Sequence, residues 1–569
     1  MPSPAEPSPL PLMLPARRGC SLVYRGLTLL SRIDPMARAE AAVAAATGAA
    51  GDRTLYFCPS PLFGYGLEKL LGELDAGASA GAGAGAAVLA LELDGALLAL
   101  SREAIARDYP LAASHPRFLL TGCGDAAALA ALLRETWGGR SFRRVVSLKL
   151  TGGWQLFPER YEVLADALRR EIALDWGNAM TLVRLGRRFA LNFVRNLALE
   201  GRDLAGLSYG DVPLLVLGAG PSLDPFLDGL VAGFGDLSNT AGRPFRIICV
   251  DTALGSLRER DIRPDLVLAL ESQHWNLRDF TGLGDWRLPL AMDLSALPAT
   301  AQFAGARPWL FFTPWTRLRL FERLEAAGAL PIKFPPLGSV GLSAVYAALH
   351  LGRGYVIVAG IDFSFSLDAY HARGSPGHRE RLRSQNRLCS LIRPGPVFRP
   401  GATDAFSSEG RPVRTDPAMR SYRELFRREF AGEDRLAAVA GTGLDLGVRT
   451  LPLETALGLL GETALGLLGA FVKEADEDKP PERAVKRYEA PLEIARLRRL
   501  RDLLTGLAAP EPAELEDLLD ASDYLWAHFP ECAAAEGRRP PGTNLSFLKR
   551  VRAELEPFLN AWERSGGAA

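Results

Sequence analysis

Gly218-Ala219-Gly220-Pro221-Ser222 stand directly after the apolar run Leu214-Leu215-Val216-Leu217, an order of residue types suited to holding a phosphate. The run has the length of a buried parallel strand, and Gly218 and Gly220 allow conformations and close approaches that a β-carbon blocks. Pro221 and Ser222 then open a helix, whose unpaired first-turn N–H groups and partial positive charge bind an anion without a lysine. The Gly-Lys-Ser/Thr ending of a Walker loop and the third spaced glycine of a dinucleotide fingerprint are both missing. An ordinary tight strand-to-helix turn therefore stands beside the phosphate reading.

The same arrangement recurs downstream. Ile247-Ile248-Cys249-Val250 reads as a second buried strand ending at Asp251, and Leu266-Val267-Leu268-Ala269-Leu270 as a third ending at Glu271. Open parallel sheets bind ligands at the carboxyl ends of their strands, which sets Gly220, Ser222, Asp251 and Glu271 on one rim. Capping of the following helices is the commoner fate of such acids. A further strand at 333–336 leads into Gly338-Ser339-Val340-Gly341, a second small-residue loop opening a helix that ends near His350. The strand through Tyr355-Val356-Ile357-Val358-Ala359 then carries Asp362 at its tip, with Tyr370-His371-Ala372-Arg373-Gly374 just beyond. His371 titrates near neutrality and lies in a polar loop, the placing of a general base or of an inert surface histidine. His378 ranks behind it.

Taken in order, the Gly-Ala-Gly-Pro-Ser-Leu loop, Asp251-Thr252-Ala253-Leu254, Pro264-Asp265, Gly338-Ser339-Val340 and Gly360-Ile361-Asp362-Phe363 before His371 resemble the motility accessory factor (Maf) flagellin glycosyltransferases. Val413-Arg414-Thr415-Asp416 with Tyr422, and Ser31-Arg32-Ile33-Asp34-Pro35 upstream, are similar to further Maf features. The central domain of that family is related to bacterial sialyltransferases and to 6-hydroxymethylpterin pyrophosphokinase. The resemblance covers about residues 28 to 450.

The resemblance implies transfer of a nonulosonic acid, of pseudaminic, legionaminic or sialic type, from a CMP donor to Ser or Thr of flagellin. Gly218, Gly220, Pro221 and Ser222 would cradle the nucleotide, with Asp251 contacting its ribose or base, Glu271 a further nucleotide-binding residue of the rim, and Gly338 and Ser339 at the phosphate. Asp362 would hold the loop that aims His371, and His371 would take the acceptor proton. No metal or other cofactor is expected for this chemistry. Two alternatives remain open: a Mg-ATP-dependent pterin pyrophosphokinase with Asp251, Glu271 and Asp362 as ligands, and a non-catalytic flagellin-binding accessory protein.

The elements that must position these residues point to an α/β fold. A Rossmann-like parallel-sheet catalytic domain is expected at 206–450, preceded by a helical linker at 151–205 and a smaller Rossmann-like domain at 28–150. In that smaller domain the strand Leu55–Cys58, a glycine-bearing loop and Val88-Leu89-Ala90-Leu91-Glu92 repeat the strand, loop, helix, strand and acid order. Proline stands where close phosphate approach wants glycine, which favours a docking module over a nucleotide or methyl-donor site. Residues 1–27 read as a disordered extension and 451–569 as a helical C-terminal domain with amphipathic helices at 492–507, 512–529 and 544–562. Glu454–Gly461 repeats word for word at 462–469, too short to make a solenoid.

With 66 basic and 66 acidic residues the chain has no net charge, so no overall field draws it to nucleic acid or an anionic membrane. Six cysteines without Cys-x-x-Cys spacing suit neither a zinc site nor a disulfide scaffold. Apolar runs broken by glycine, proline or charge fall short of a membrane span, and Met1–Pro15 lacks the build of a secretory signal. A cytoplasmic protein is expected. The arginines at 379, 381, 383, 387, 393 and 399 read as a lid over the rim or as a solvated basic loop.

Overall fold

The computed structural model describes residues 10–47, 53–79, 85–138, 141–366, 369–390, 400–467, 488, 490–506, 511–535 and 537–566. Met1–Pro9, the middle of the Ala/Gly-rich stretch at 80–84, Arg393, Pro394, Pro396, Arg399 and the charged linker 473–486 lie outside them. The chain forms two compact units: Met1–Arg184 with Ala527–Pro540, and Leu185–Trp526 with Pro541–Ala569. The helix Pro158–Asn196 passes from the first into the second, a single element where several bridging helices were expected.

In the first unit, β1 (Leu12–Pro15), β2 (Cys20–Tyr24) and β3 (Leu27–Thr28) make an antiparallel sheet. This corrects the reading of 1–27 as disordered throughout. Leu22 and Tyr24 are buried in a cluster with Leu29, Leu62 and Tyr65, burial enough to order a short hairpin that looks unstructured by composition. Strands β4 (Thr54–Pro59), β5 (Ala87–Leu91), β6 (Phe118–Thr121) and β7 (Arg144–Ser147) form a parallel sheet in the order β6-β5-β4-β7. At its carboxyl rim Glu92 is buried and accepts hydrogen bonds from Ser60 Oγ (2.5 Å), Tyr161 OH (3.2 Å) and Asp94 N (3.1 Å). Burial pushes the Glu92 carboxyl up, against the pull of those donors.

The second unit is built on nine strands: β8 (Arg202–Asp203), β9 (Leu214–Leu217), β10 (Arg246–Val250), β11 (Leu266–Ala269), β12 (Leu290–Asp293), β13 (Trp309–Phe311), β14 (Val356–Ala359), β17 (Leu436–Val439) and β18 (Arg449–Leu451). Between β14 and β17 the chain inserts the small hairpin β15 (Thr403–Phe406) and β16 (Pro412–Thr415). The large sheet runs β18-β17-β14-β9-β10-β11-β12-β13-β8, and every pairing in it is parallel. Its central strands β9, β11, β12 and β14 are buried at every residue, which is why they read as unbroken apolar runs. From β9 the order proceeds one way through β10 to β13 and the other way through β14 to β18. The expected strand at 333–336 is a single bridge between Phe312 and Lys333.

Two asparagines near the end of the long helix fix the carboxyl tips of β11 and β12. Asn192 Nδ2 donates to the carbonyls of Ser272 (3.1 Å) and Ser295 (3.2 Å), and Asn196 Nδ2 to those of Leu294 (3.0 Å) and Ala296 (2.8 Å). These loops cross the sheet end where no strand partner exists, so side-chain amides supply the missing donors.

Of the helices after 451, Pro530–Ala534 falls in the first unit and the others in the second. Helix Ala490–Thr505 inserts Glu493, fully buried, beside the helix Arg319–Ala326 that follows β13. Glu493 accepts from Arg323 Nη2 (2.9 Å), Tyr488 OH (2.9 Å) and Tyr524 OH (3.2 Å), and pairs with Arg496. Asp523 accepts from the backbone N of Arg319 at 2.6 Å, capping the same helix. The expected helix at 512–529 stops at Ala521, because the chain turns there to deliver Asp523. Helix Leu453–Leu467 runs through the first copy of the octapeptide into the second. No helix among the described residues is long and apolar enough to cross a membrane. All six cysteines are unpaired thiols.

Asn196→Ala strips donors from two carbonyls at a buried position, at a cost on the order of 2 kcal/mol. A midpoint of thermal unfolding several degrees below wild type, followed by circular dichroism, is the expected outcome.

Candidate active site at the carboxyl rim

The switch in strand order falls between β9 and β14, the place where open α/β sheets hold their ligands. There the loop 218–222 meets the tip of β14 so closely that its polar groups are consumed within the protein. Gly218 N donates to Ala359 O (2.8 Å), Gly220 N to Gly360 O (2.7 Å) and Ser222 N to Asp362 Oδ2 (2.8 Å). Ser222 Oγ bonds the other Asp362 oxygen and accepts from Gly360 N at 3.2 Å, while Thr442 Oγ1 donates to Asp362 at 3.2 Å. A β-carbon on Gly218 would lie 2.3 Å from Gly360 O, and one on Gly220 2.6 Å from Asp362 Cγ. The glycines admit the neighbouring strand tip; their amides, with that of Ser222, do not point at a free phosphate position as the sequence suggested. The helix begins at Leu223, with Pro221 and Ser222 buried ahead of it.

Ala219 is the exception in this loop. Its carbonyl accepts from Ala372 N at 2.9 Å, and its N–H has no partner among the described residues. That bond sets His371 against the loop. The imidazole lies edge-on to the Tyr370 ring, centroids 4.8 Å apart, and close to Gly377, where a β-carbon would come within 2.8 Å of Cδ2. Burial lowers its proton affinity below the ordinary histidine value, a hydrogen bond to the Ala219 backbone opposes this, and Arg278 and Arg381 lower it further. His378 is engaged in its own turn, with Nδ1 accepting from Gly374 N at 3.2 Å.

The second bend adjoins the first. Gly338, at φ +67°, leads through Ser339 into helix Val340–Leu351, whose first turn has no side-chain cap. A β-carbon on Gly341 would touch Ile361 Cδ1 at 3.2 Å, and one on Gly218 would reach Ile361 Cγ1 at 2.9 Å, so one side chain separates the two loops. Tyr422 closes the outer side of Gly338, 3.2 Å from where its β-carbon would be. Phe363 takes φ +50°, a left-handed conformation costly for an aromatic residue, beside the Tyr422 ring at 6.3 Å between centroids.

On the β10 side three acids gather. Asp251, 3% exposed, accepts from Thr252 N (2.8 Å) and Thr252 Oγ1 (3.3 Å). Burial, then repulsion from Asp279 and Glu271, pushes its carboxyl up to about 8. Burial pushes Asp279 up to about 6, with Arg278 pulling down and Glu271 pushing up. Glu271 Oε1 accepts from Gln273 N at 2.9 Å. Asp362 is turned toward Ser222 and Thr442, and no group of three or more metal-capable side chains forms among the described residues. The three carboxyls named as magnesium ligands for a kinase are thus not brought together.

The arginine-rich segment is partly paired where it is described. Arg373 pairs with Asp228 (2.8 Å) and Asp224 (3.4 Å), and Arg379 lies 3.9 Å from Glu259. Arg381, on helix Pro376–Ser384, acts on His371. Arg278 and Asp279 were not singled out from sequence. They sit in and just after a short turn beyond β11, and their only signal there was proximity to Glu271.

The imidazole and the buried carboxyls stand at the switch point of a doubly wound α/β sheet, the place where such sheets hold their ligands. Residues 187–368 match the family described as 6-hydroxymethylpterin diphosphokinase MptE-like. The whole chain has the fold of the Maf glycosyltransferase from Magnetospirillum magneticum AMB-1, with a TM-score of 0.52 at 13% identity, covering 98% of this chain and 92% of that one. An uncharacterised protein of Treponema pallidum (strain Nichols) is 28% identical over 98% of this chain and 96% of its own length. The chain thus carries an MptE-like domain within a Maf-type fold.

The raised Asp251 carboxyl makes the fold pH-dependent with a definite sign. Native Asp251 holds its proton to about pH 8, the unfolded residue only to about 4, so its stabilising share is complete below pH 4 and lost as pH rises toward 8. Asp251→Asn is therefore expected to gain in thermal midpoint relative to wild type between pH 5 and pH 8.5, read from melts across that range.

Proposed function

We propose that the protein is a glycosyltransferase that moves a nonulosonic acid from a CMP donor to Ser or Thr hydroxyls of flagellin in the cytoplasm. The observation that carries this reading is His371, held on the Ala219 backbone at the switch point within reach of the Arg278 and Arg381 charges. The fold shared with a Maf glycosyltransferase supports the class of reaction, and the resemblance of the motifs to Maf proteins supplies the donor and acceptor.

In this reading the donor phosphate lies at the Ala219 N–H, with the Arg278 and Arg381 charges opposing the negative charge that grows as CMP leaves. The nucleoside extends along the rim between Asp251 and Glu271 on one side and Gly338 and Ser339 on the other. His371, held neutral by burial, accepts the proton of the incoming hydroxyl as its oxygen bonds to the anomeric carbon and the bond from that carbon to the phosphate oxygen breaks. Asp362 acts through the loop: it clasps Ser222 and so fixes Ala219, on which His371 rests.

A second reading, a pterin pyrophosphokinase using Mg-ATP, draws on the MptE-like match. The two separate on metal dependence. Transfer from a CMP-nonulosonate to flagellin, followed by mass spectrometry of the acceptor, is expected to survive excess EDTA with at most a twofold loss. ATP-dependent AMP release on a hydroxymethylpterin that EDTA abolishes would reverse the assignment. Flagellin binding without either activity would leave an accessory protein.

His371→Ala is expected to lower the transfer rate by about 10²–10⁴-fold while CMP affinity stays within a few-fold of wild type. Because the imidazole's proton affinity is depressed, the wild-type rate should hold through neutrality and fall only on acidification below the ordinary histidine range. Unimpaired transfer by the variant removes the base assignment.

A further inference from the structure

The turn His274–Arg278 beyond β11 exposes one large aromatic side chain beside the rim. Trp275 is 69% exposed, an uncommon placing for so large an apolar surface, and the Arg278 guanidinium carbon lies 5.8 Å from its ring centroid. Arg278 also bonds Glu380 at 3.3 Å on the helix that carries Arg381, and its charge reaches His371. The arginine beside the exposed indole is thus bonded to the helix Pro376–Ser384, whose Gly377 packs against the candidate base. Next to Trp275, Asn276 is 2% exposed and neither atom of its amide has a hydrogen-bond partner among the described residues. Glu271 and Asp279 bracket the turn in sequence.

An apolar ring face, a cation and acceptor-only carboxylates on one turn match the surface of a carboxylated pyranose. Its C–H face lies on the indole, its carboxylate meets the guanidinium and its hydroxyls donate to the acids. A neutral nucleobase would leave the guanidinium and the carboxylates less well used. We propose that Trp275 and Arg278 form the seat of the donor's sugar ring, holding its carboxylate and placing its anomeric carbon next to His371. This inference rests on the glycosyl-transfer reading and adds to it the residues that recognise the sugar.

Calorimetric titration of the full-length protein with CMP and with CMP-N-acetylneuraminic acid tests it, in wild type, Trp275→Ala and Trp275→Phe. Trp275 is exposed, so both variants are expected to fold and to bind CMP within twofold of wild type. Trp275→Ala should lose about tenfold in affinity for the sugar nucleotide, equivalent to about 1.4 kcal/mol, and Trp275→Phe should keep most of it. An equal loss for CMP alone would make the indole a base-stacking surface and overturn the proposal. Unchanged affinity for both ligands would overturn it too, while leaving the transferase reading in place. A wild type that binds neither ligand would sink the transferase reading itself.

Discussion

Asp362 is a buried carboxyl at the point where the sheet reverses its strand order; burial raises its proton affinity, and three donors from two other segments offset part of that cost. Ser222 supplies its backbone N–H and its hydroxyl, and Thr442 supplies a second hydroxyl. The clasp draws the tip of β9 against the tip of β14, and the approach is close enough that only glycine fits at 218 and 220. With the other amides of that loop committed, the outward-facing part is Ala219, whose carbonyl holds Ala372 and thereby places His371. The position of the candidate base thus follows from a structural hydrogen-bond network one layer beneath it.

Charge around the rim is sorted although the chain as a whole carries no net charge. Asp251, Glu271 and Asp279 lie on the side of β10 and β11, where burial and then repulsion between the acids raise the proton affinity of Asp251 and, to a smaller extent, of Asp279. Arg373 and Arg260 are tied to Asp224 and Asp228 on the helix after β9. The Arg278 charge favours ionisation of Asp279 and opposes a positive charge on His371. Such a local arrangement can orient a charged ligand at close range without any long-range steering.

The first unit shows how the same local pattern can end differently. Its sheet also has a strand, loop, helix, strand and acid, but Ser60, Tyr161 and the Asp94 amide close around Glu92. Thr151 Oγ1 further holds the Ser60 carbonyl at 2.6 Å. A rim acid saturated by its own neighbours has little capacity left for a ligand, whereas Glu271 and Asp279 keep carboxyl oxygens near an exposed turn.

The amino-acid sequence by itself determined the buried parallel strands β9, β10, β11 and β14, the small-residue loops, and the acids at or just beyond strand tips. Each is written in consecutive residues, as an apolar run followed by glycine or a carboxylate. It could not show the short strands β8, β13, β17 and β18, two to four residues long, whose pairing is decided by neighbours far along the chain. Nor could it show the hairpin at 12–28, which is ordered by burial against Leu62 and Tyr65. Tertiary structure alone decided that the glycines serve strand contact, that Asp362 faces Ser222, that helix Ala490–Thr505 is pinned through Glu493 to Arg323, and that Arg278 bonds Glu380 on the helix packed against His371. Covalent order fixes which groups a segment carries, but the direction in which a carboxylate or guanidinium turns depends on which distant donors and charges packing brings within about 3 Å of it.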